Sequence, residues 1–103
     1  MITAKEANIK TNAVVQNLKN KAAAWVEDEW EFIDSQIQKA IEKGEFEASY
    51  WWSNELLKDA GVEKRYVAQA LREKAFNLGF HQEVVTNYSN ANVLRIDIRW
   101  ERA

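Results

Sequence analysis

Val93-Leu94-Arg95-Ile96-Asp97-Ile98-Arg99-Trp100 alternates apolar and charged side chains almost without a break. Successive side chains of an extended chain point to opposite faces. Leu94, Ile96, Ile98 and Trp100 therefore share one side, and Arg95, Asp97 and Arg99 the other. One greasy side and one ionised side predict a half-buried strand whose apolar face needs a cover. The rest of the chain is read for its sheet neighbours and for that cover.

The nearest neighbour precedes it. Ser89-Asn90-Ala91-Asn92 has turn chemistry, and Phe80 to Tyr88 reads as a strand, so the two form a hairpin. Glu45 to Trp52 also alternates. Phe46, Ala48, Tyr50 and Trp52 point one way, and Glu45, Glu47, Ser49 and Trp51 the other.

The cover is helical. Leu18, Ala22, Trp25, Val26, Trp30, Ile33, Ile37, Ala40 and Ile41 recur at helical spacing, and Gly44 supplies a left-handed stop with Lys43 in the last turn. Thr3-Ala4-Lys5-Glu6 reads as a capping box. A helix from there to Gly44 would be about 60 Å long at ~1.5 Å per residue, longer than a small domain. The expectation is an N-terminal arm or a break near Thr11-Asn12, where a second N-cap is available. Ser53 or Asn54 caps a short helix with Leu56, Leu57 and Ala60, closed by Gly61. Another helix runs from Glu63 to Leu78 with Val67, Ala70, Leu71, Ala75 and Leu78 inward, ended by Gly79. The predicted class is α+β: a long N-terminal helix, then strand-helix-helix-strand-strand, with helices on one face of a three-stranded antiparallel sheet. Residues 1–13 form an arm or helix extension, and 14–103 a single domain.

Composition bounds what such a domain does. With 103 residues the chain holds one domain, and 47% hydrophobic residues suffice for a core. Cysteine is absent, which excludes disulfides, thiolate metal sites and a cysteine nucleophile. No apolar run follows Met1-Ile2-Thr3-Ala4-Lys5, and none approaches the roughly 20 residues needed to span a bilayer. No membrane partner is expected, and the cytoplasm is the default location. The net charge is -2, which argues against a protein that coats nucleic acid. Its distribution is uneven. Residues 1–24 hold Lys5, Lys10, Lys19 and Lys21 against Glu6, a surplus of three positive charges. Residues 25–47 hold eight acids against Lys39 and Lys43, a surplus of six negative ones.

The element order resembles the winged-helix domain, whose second and third helices form a helix-turn-helix and whose last two strands make the wing. The resemblance is one of topology and implies that Ser53–Ala60 and Glu63–Leu78 are those helices, joined through Gly61. Lys64, Arg65, Gln69 and Arg72 would then face DNA, with Asn90 or Asn92 at the wing tip. Short stretches also resemble small uncharacterised proteins of tailed phages and prophages: Thr3-Ala4-Lys5-Glu6-Ala7, Ala40-Ile41-Glu42-Lys43-Gly44, Leu78-Gly79-Phe80 and Ile98-Arg99-Trp100. The helix at Ser53–Ala60 departs from that pattern. This second resemblance implies an origin and no activity.

Catalytic and metal sites find little support. His81 is the only histidine, and nothing in the spacing sets a nucleophile and an orienting acid beside it. Glu27, Glu31 and Asp34 share a helical face but lack the loop and turn glycine of a calcium site, so a solvated acidic stripe is expected. Glu45 and Glu47 lie on one strand face about 7 Å apart, with no inferable cleft between walls for a glycosidase-like pair. No phosphate loop exists. The sequence predicts no catalytic residue, no cofactor, no metal and no small-molecule substrate.

Five tryptophans are the least ordinary feature. Trp52 and Trp100 fall on inner faces. Trp25 and Trp30 are five positions apart and do not both fit one narrow stripe, and Trp51 faces the charged side of the sheet. These three are either partly buried under a long side chain such as Arg95 or Arg99, or anchors of a protein interface. Two functions follow. One is a non-enzymatic module that binds a protein partner or itself through Trp25, Trp30 and Trp51. The other is a winged-helix DNA-binding regulator. A domain making 6–10 phosphate contacts needs about that many bases on one face. Lys64, Arg65, Arg72 and Lys74 fall short of that without Arg95 and Arg99, so protein binding is the favoured expectation.

Overall fold

A computed structural model describes residues 1–86 and 93–100. It contains α1 (Ala4–Glu42), β1 (Glu47–Ser53), α2 (Asn54–Ala60), α3 (Lys64–Asn77), β2 (His81–Val85) and β3 (Val93–Arg99). The class is α+β, in the order read from the sequence. The strands form one antiparallel sheet in the order β1-β3-β2, so the strand with the cleanest alternation occupies the centre. Its Leu94, Ile96 and Ile98 are at most 1% exposed. Each contributes about 1.5–3 kcal/mol through burial.

α1 is continuous, and no break occurs at Thr11-Asn12. The chain has no proline, and its first glycine is Gly44. A threonine or asparagine inside a helix costs only a few tenths of a kcal/mol up to about 0.7 relative to alanine, too little to stop one already nucleated. Thr3 caps the start, its Oγ1 accepting from the Glu6 amide at 3.2 Å. At the other end Gly44 takes φ 73°. Its amide donates to Ile41 O and that of Glu45 to Ala40 O, at 3.0 and 2.9 Å, the paired closure that a left-handed residue permits. Glu45 is thereby drawn into the helix cap, and β1 begins at Glu47 rather than Glu45.

The buried stripe of α1 is Ala22, Val26, Trp30, Ile33, Ile37 and Ala40. It packs on β1 and α3, and the core closes with Trp52, Leu57, Val62, Val67, Ala68, Leu71 and Ala75. N-terminal to Ala22 no residue of α1 is buried. Those turns project from the body, which gives the molecule an extent of 61 × 28 × 22 Å.

Several boundaries differ from expectation. α3 ends at Asn77, and Leu78 caps it with 54% exposure, outside the inner stripe. Ile41 is likewise exposed, one position beyond the last buried turn. β2 stops at Val85, with a bend at Thr86, short of the expected Tyr88. Tyr88 and the 89–92 turn lie outside the described residues. Ser53, not Asn54, caps α2, accepting from the Leu56 amide at 3.2 Å. Among the described residues no helix is long and apolar enough to cross a membrane.

Candidate interaction surfaces

Strand register sets two faces of opposite character. Beneath the helices lie Trp52 opposite Leu94, Tyr50 and Val84 opposite Ile96, and Ala48 and Gln82 opposite Ile98. On the uncovered face Arg95 stands between Trp51 and Val85, Asp97 between Ser49 and Glu83, and Arg99 between Glu47 and His81. Arg95 is held to Asp97 by an ion pair at 2.8 Å. Trp51 and Trp52 are neighbours in the chain, yet Trp51 is 62% exposed and Trp52 is 3% exposed.

The three candidate interface tryptophans therefore separate. Trp51 presents its ring to solvent. Trp25 is half-buried, tilted against Trp52 with centroids 5.6 Å apart. Trp30 is in the core, 8% exposed, with the Lys74 ammonium 5.8 Å above its ring; its position on the buried stripe removes it from any surface. Two exposed aromatics were not singled out from the sequence. Phe32 stacks on Tyr50 at 6.1 Å, and Phe76 is the most exposed aromatic of α3. The usable signal was their offset: Phe32 precedes buried Ile33, and Phe76 follows buried Ala75.

The candidate nucleic-acid residues also divide. Arg65, Gln69 and Arg72 lie exposed on one face of α3, together with Glu73 and Phe76. Each of the three is engaged. Arg65 pairs with Glu63 at 3.1 Å and lies over the Tyr66 ring, Gln69 donates to Glu73 at 3.3 Å, and Arg72 donates to Val84 O at 3.4 Å. Lys64 is half-buried, and desolvation pushes its ammonium below the usual lysine range. Lys74 turns toward α1 and pairs with Glu27 at 2.7 Å. Arg95 and Arg99 stand on the far face of the sheet. Asn90 and Asn92 lie outside the described residues.

A recess of about 510 Å³ is lined by Lys39 and Lys43 of α1, Glu45, Glu47 and Ser49, and Glu83, Asp97 and Arg99 of the sheet, among others. It is polar, with charges of both signs interleaved. His81 does not line it. Among the described residues no group of three or more histidine or carboxylate side chains is placed to hold a metal ion.

No protein-family model, curated protein or solved structure matches the chain.

Proposed function

We propose that this chain is a non-enzymatic binding protein that acts through protein–protein contacts, with another protein or with itself. The observation that carries the reading is the placement of apolar surface. The projecting turns of α1 expose Ile9 at 60% and Val14 at 58%, and the open sheet face exposes Trp51 at 62%. Large apolar groups on an arm and on a flat face, away from the core, are what protein partners cover. If the phage-like segments reflect origin, the partner is a host or phage component.

A winged-helix DNA-binding regulator is the second reading. The sheet order and the joint exposure of Arg65, Gln69 and Arg72 on α3 favour it. Electrostatics favours the first, because Lys74, Arg95 and Arg99 point away from that face and Glu73 lies on it. Two arginines cannot supply the phosphate contacts on which affinity for a polyanion depends.

Light scattering with and without a duplex at low salt separates the two. The protein-binding reading expects no change of mass on adding duplex, and loss of partner capture in Trp51→Ser with folding intact. Duplex binding that falls steeply with salt and is abolished by Arg72→Glu would overturn it.

A further inference from the structure

The exposed side of α1 carries a stripe that is complementary to its own reverse. Lys10, Val14, Asn17, Lys21, Ala24 and Asp28 follow one another at spacings of four and three, so they line one helical face. All six are exposed, including Ala24 and Asp28 in the half of the helix that also serves the core. Two such helices laid antiparallel about a two-fold axis at residue 19 set Lys10 against Asp28, Val14 against Ala24 and Asn17 against Lys21, each contact made twice. A two-fold interface of this kind is isologous, the same patch on both copies. We infer that the occupant of this face is a second copy of the chain, packed antiparallel along α1. The inference rests on the protein-binding reading and names the partner of the α1 face alone.

Charge decides the direction. On this stripe the two bases, Lys10 and Lys21, lie toward the N-terminus and the one acid, Asp28, toward the C-terminus. Parallel pairing in register sets Lys10 on Lys10, Lys21 on Lys21 and Asp28 on Asp28. Antiparallel pairing removes these like-charge contacts and sets each Lys10 on the Asp28 of the other copy, and like charges in register are a strong discriminator between arrangements. Area decides the extent. Overlap of the arms alone, Ala4 to Lys21, is about 27 Å long and at ~10 Å helix width buries roughly 540 Å² in total, well below a stable interface. Overlap from Ala4 to Asp34 runs about 46 Å and buries roughly 900 Å², close to the ~1,000 Å² at which specific interfaces begin. Both arguments demand that the arm reach Asp28. The small Ala24 opposite Val14 lets the helices approach closely near the two-fold axis.

Sedimentation equilibrium over a concentration series, with thiol cross-linking, tests this. The chain has no cysteine, so single introduced cysteines report without background. The expected results are a reversible dimer of the 12.0 kDa chain, a dissociation constant about tenfold weaker in Lys10→Glu or Asp28→Lys, and recovery in the double reversal. A mixture of Lys10→Cys and Asp28→Cys chains should give mainly the mixed disulfide. A monomer up to ~1 mM, a Lys10→Cys self-disulfide as the main product, or no recovery in the double reversal would overturn the antiparallel dimer. A monomer that ignores duplex but binds another protein through Trp51 sinks the dimer alone. A monomer that binds duplex with steep salt dependence sinks the protein-binding reading as well.

Discussion

Trp52 of β1 donates its indole proton to Glu29 of α1 across 3.2 Å, tying the edge of the sheet to the long helix. The ring is buried and the carboxylate half-buried, so the bond holds the register between the two layers at the point where the core meets solvent.

Removing the acceptor leaves a buried indole N–H without its partner. Glu29→Ala is expected to cost about 1–3 kcal/mol, the range for leaving a buried donor unsatisfied, while Glu29→Gln retains an acceptor and most of the stability. Urea denaturation of the three proteins checks this. Equal midpoints for Glu29→Ala and the parent would show that the bond contributes nothing.

The central strand should be the most sensitive element to truncation. Ile96→Ala removes a 1% exposed side chain between Tyr50 and Val84 and is expected to cost about 2–5 kcal/mol. Trp51→Ser, one face away, should stay within ~0.5 kcal/mol of the parent. Thermal unfolding of both variants measures the contrast.

Ser53 and Asn54 are adjacent but not equivalent. Ser53 caps α2, and Ser53→Ala is expected to cost about 1 kcal/mol. The Asn54 Oδ1 is buried without a hydrogen-bond partner among the described residues, so Asn54→Ala should be neutral or slightly stabilising. Chemical denaturation that ranks the two variants the other way would contradict the capping assignment.

Lys74 makes two contacts, an ion pair with Glu27 and a cation–π contact with Trp30. Glu27 is largely exposed, so the ion pair alone should contribute only about 0.2–1 kcal/mol in a double-mutant cycle. Lys74→Ala should cost more than Glu27→Ala, because its ammonium also lies over the Trp30 ring.

Gly61 holds φ 70°, and a Cβ there would come within 2.8 Å of the Lys21 ammonium. Gly61→Ala is expected to destabilise by about 1–2 kcal/mol from backbone strain. Lys21→Ala in that background should recover only the part due to the close contact, as read from unfolding midpoints.

Much of this fold was legible because its periodicities are clean. The period of two in Val93–Trp100 and the 3.6-residue stripe from Ala22 to Ala40 each leave one arrangement that hides the apolar atoms. Boundaries were less legible where capping competes with extension. Glu45 alternates correctly for a strand, yet its amide closes α1. The site was the least legible part. Alternation already turned Trp51 toward the charged side of the sheet, whereas Trp25 and Trp30, five positions apart on α1, are told apart only by the packing that half-buries the first and buries the second.

Composition and local pattern were enough to specify the element types, their order and the inward face of the central strand, because each follows from short-range geometry and the cost of exposing apolar area. The strand order and the scattering of the basic side chains over different surfaces emerge only when distant segments pack. Those features depend on which faces meet across tens of residues, and no local repeat encodes that meeting.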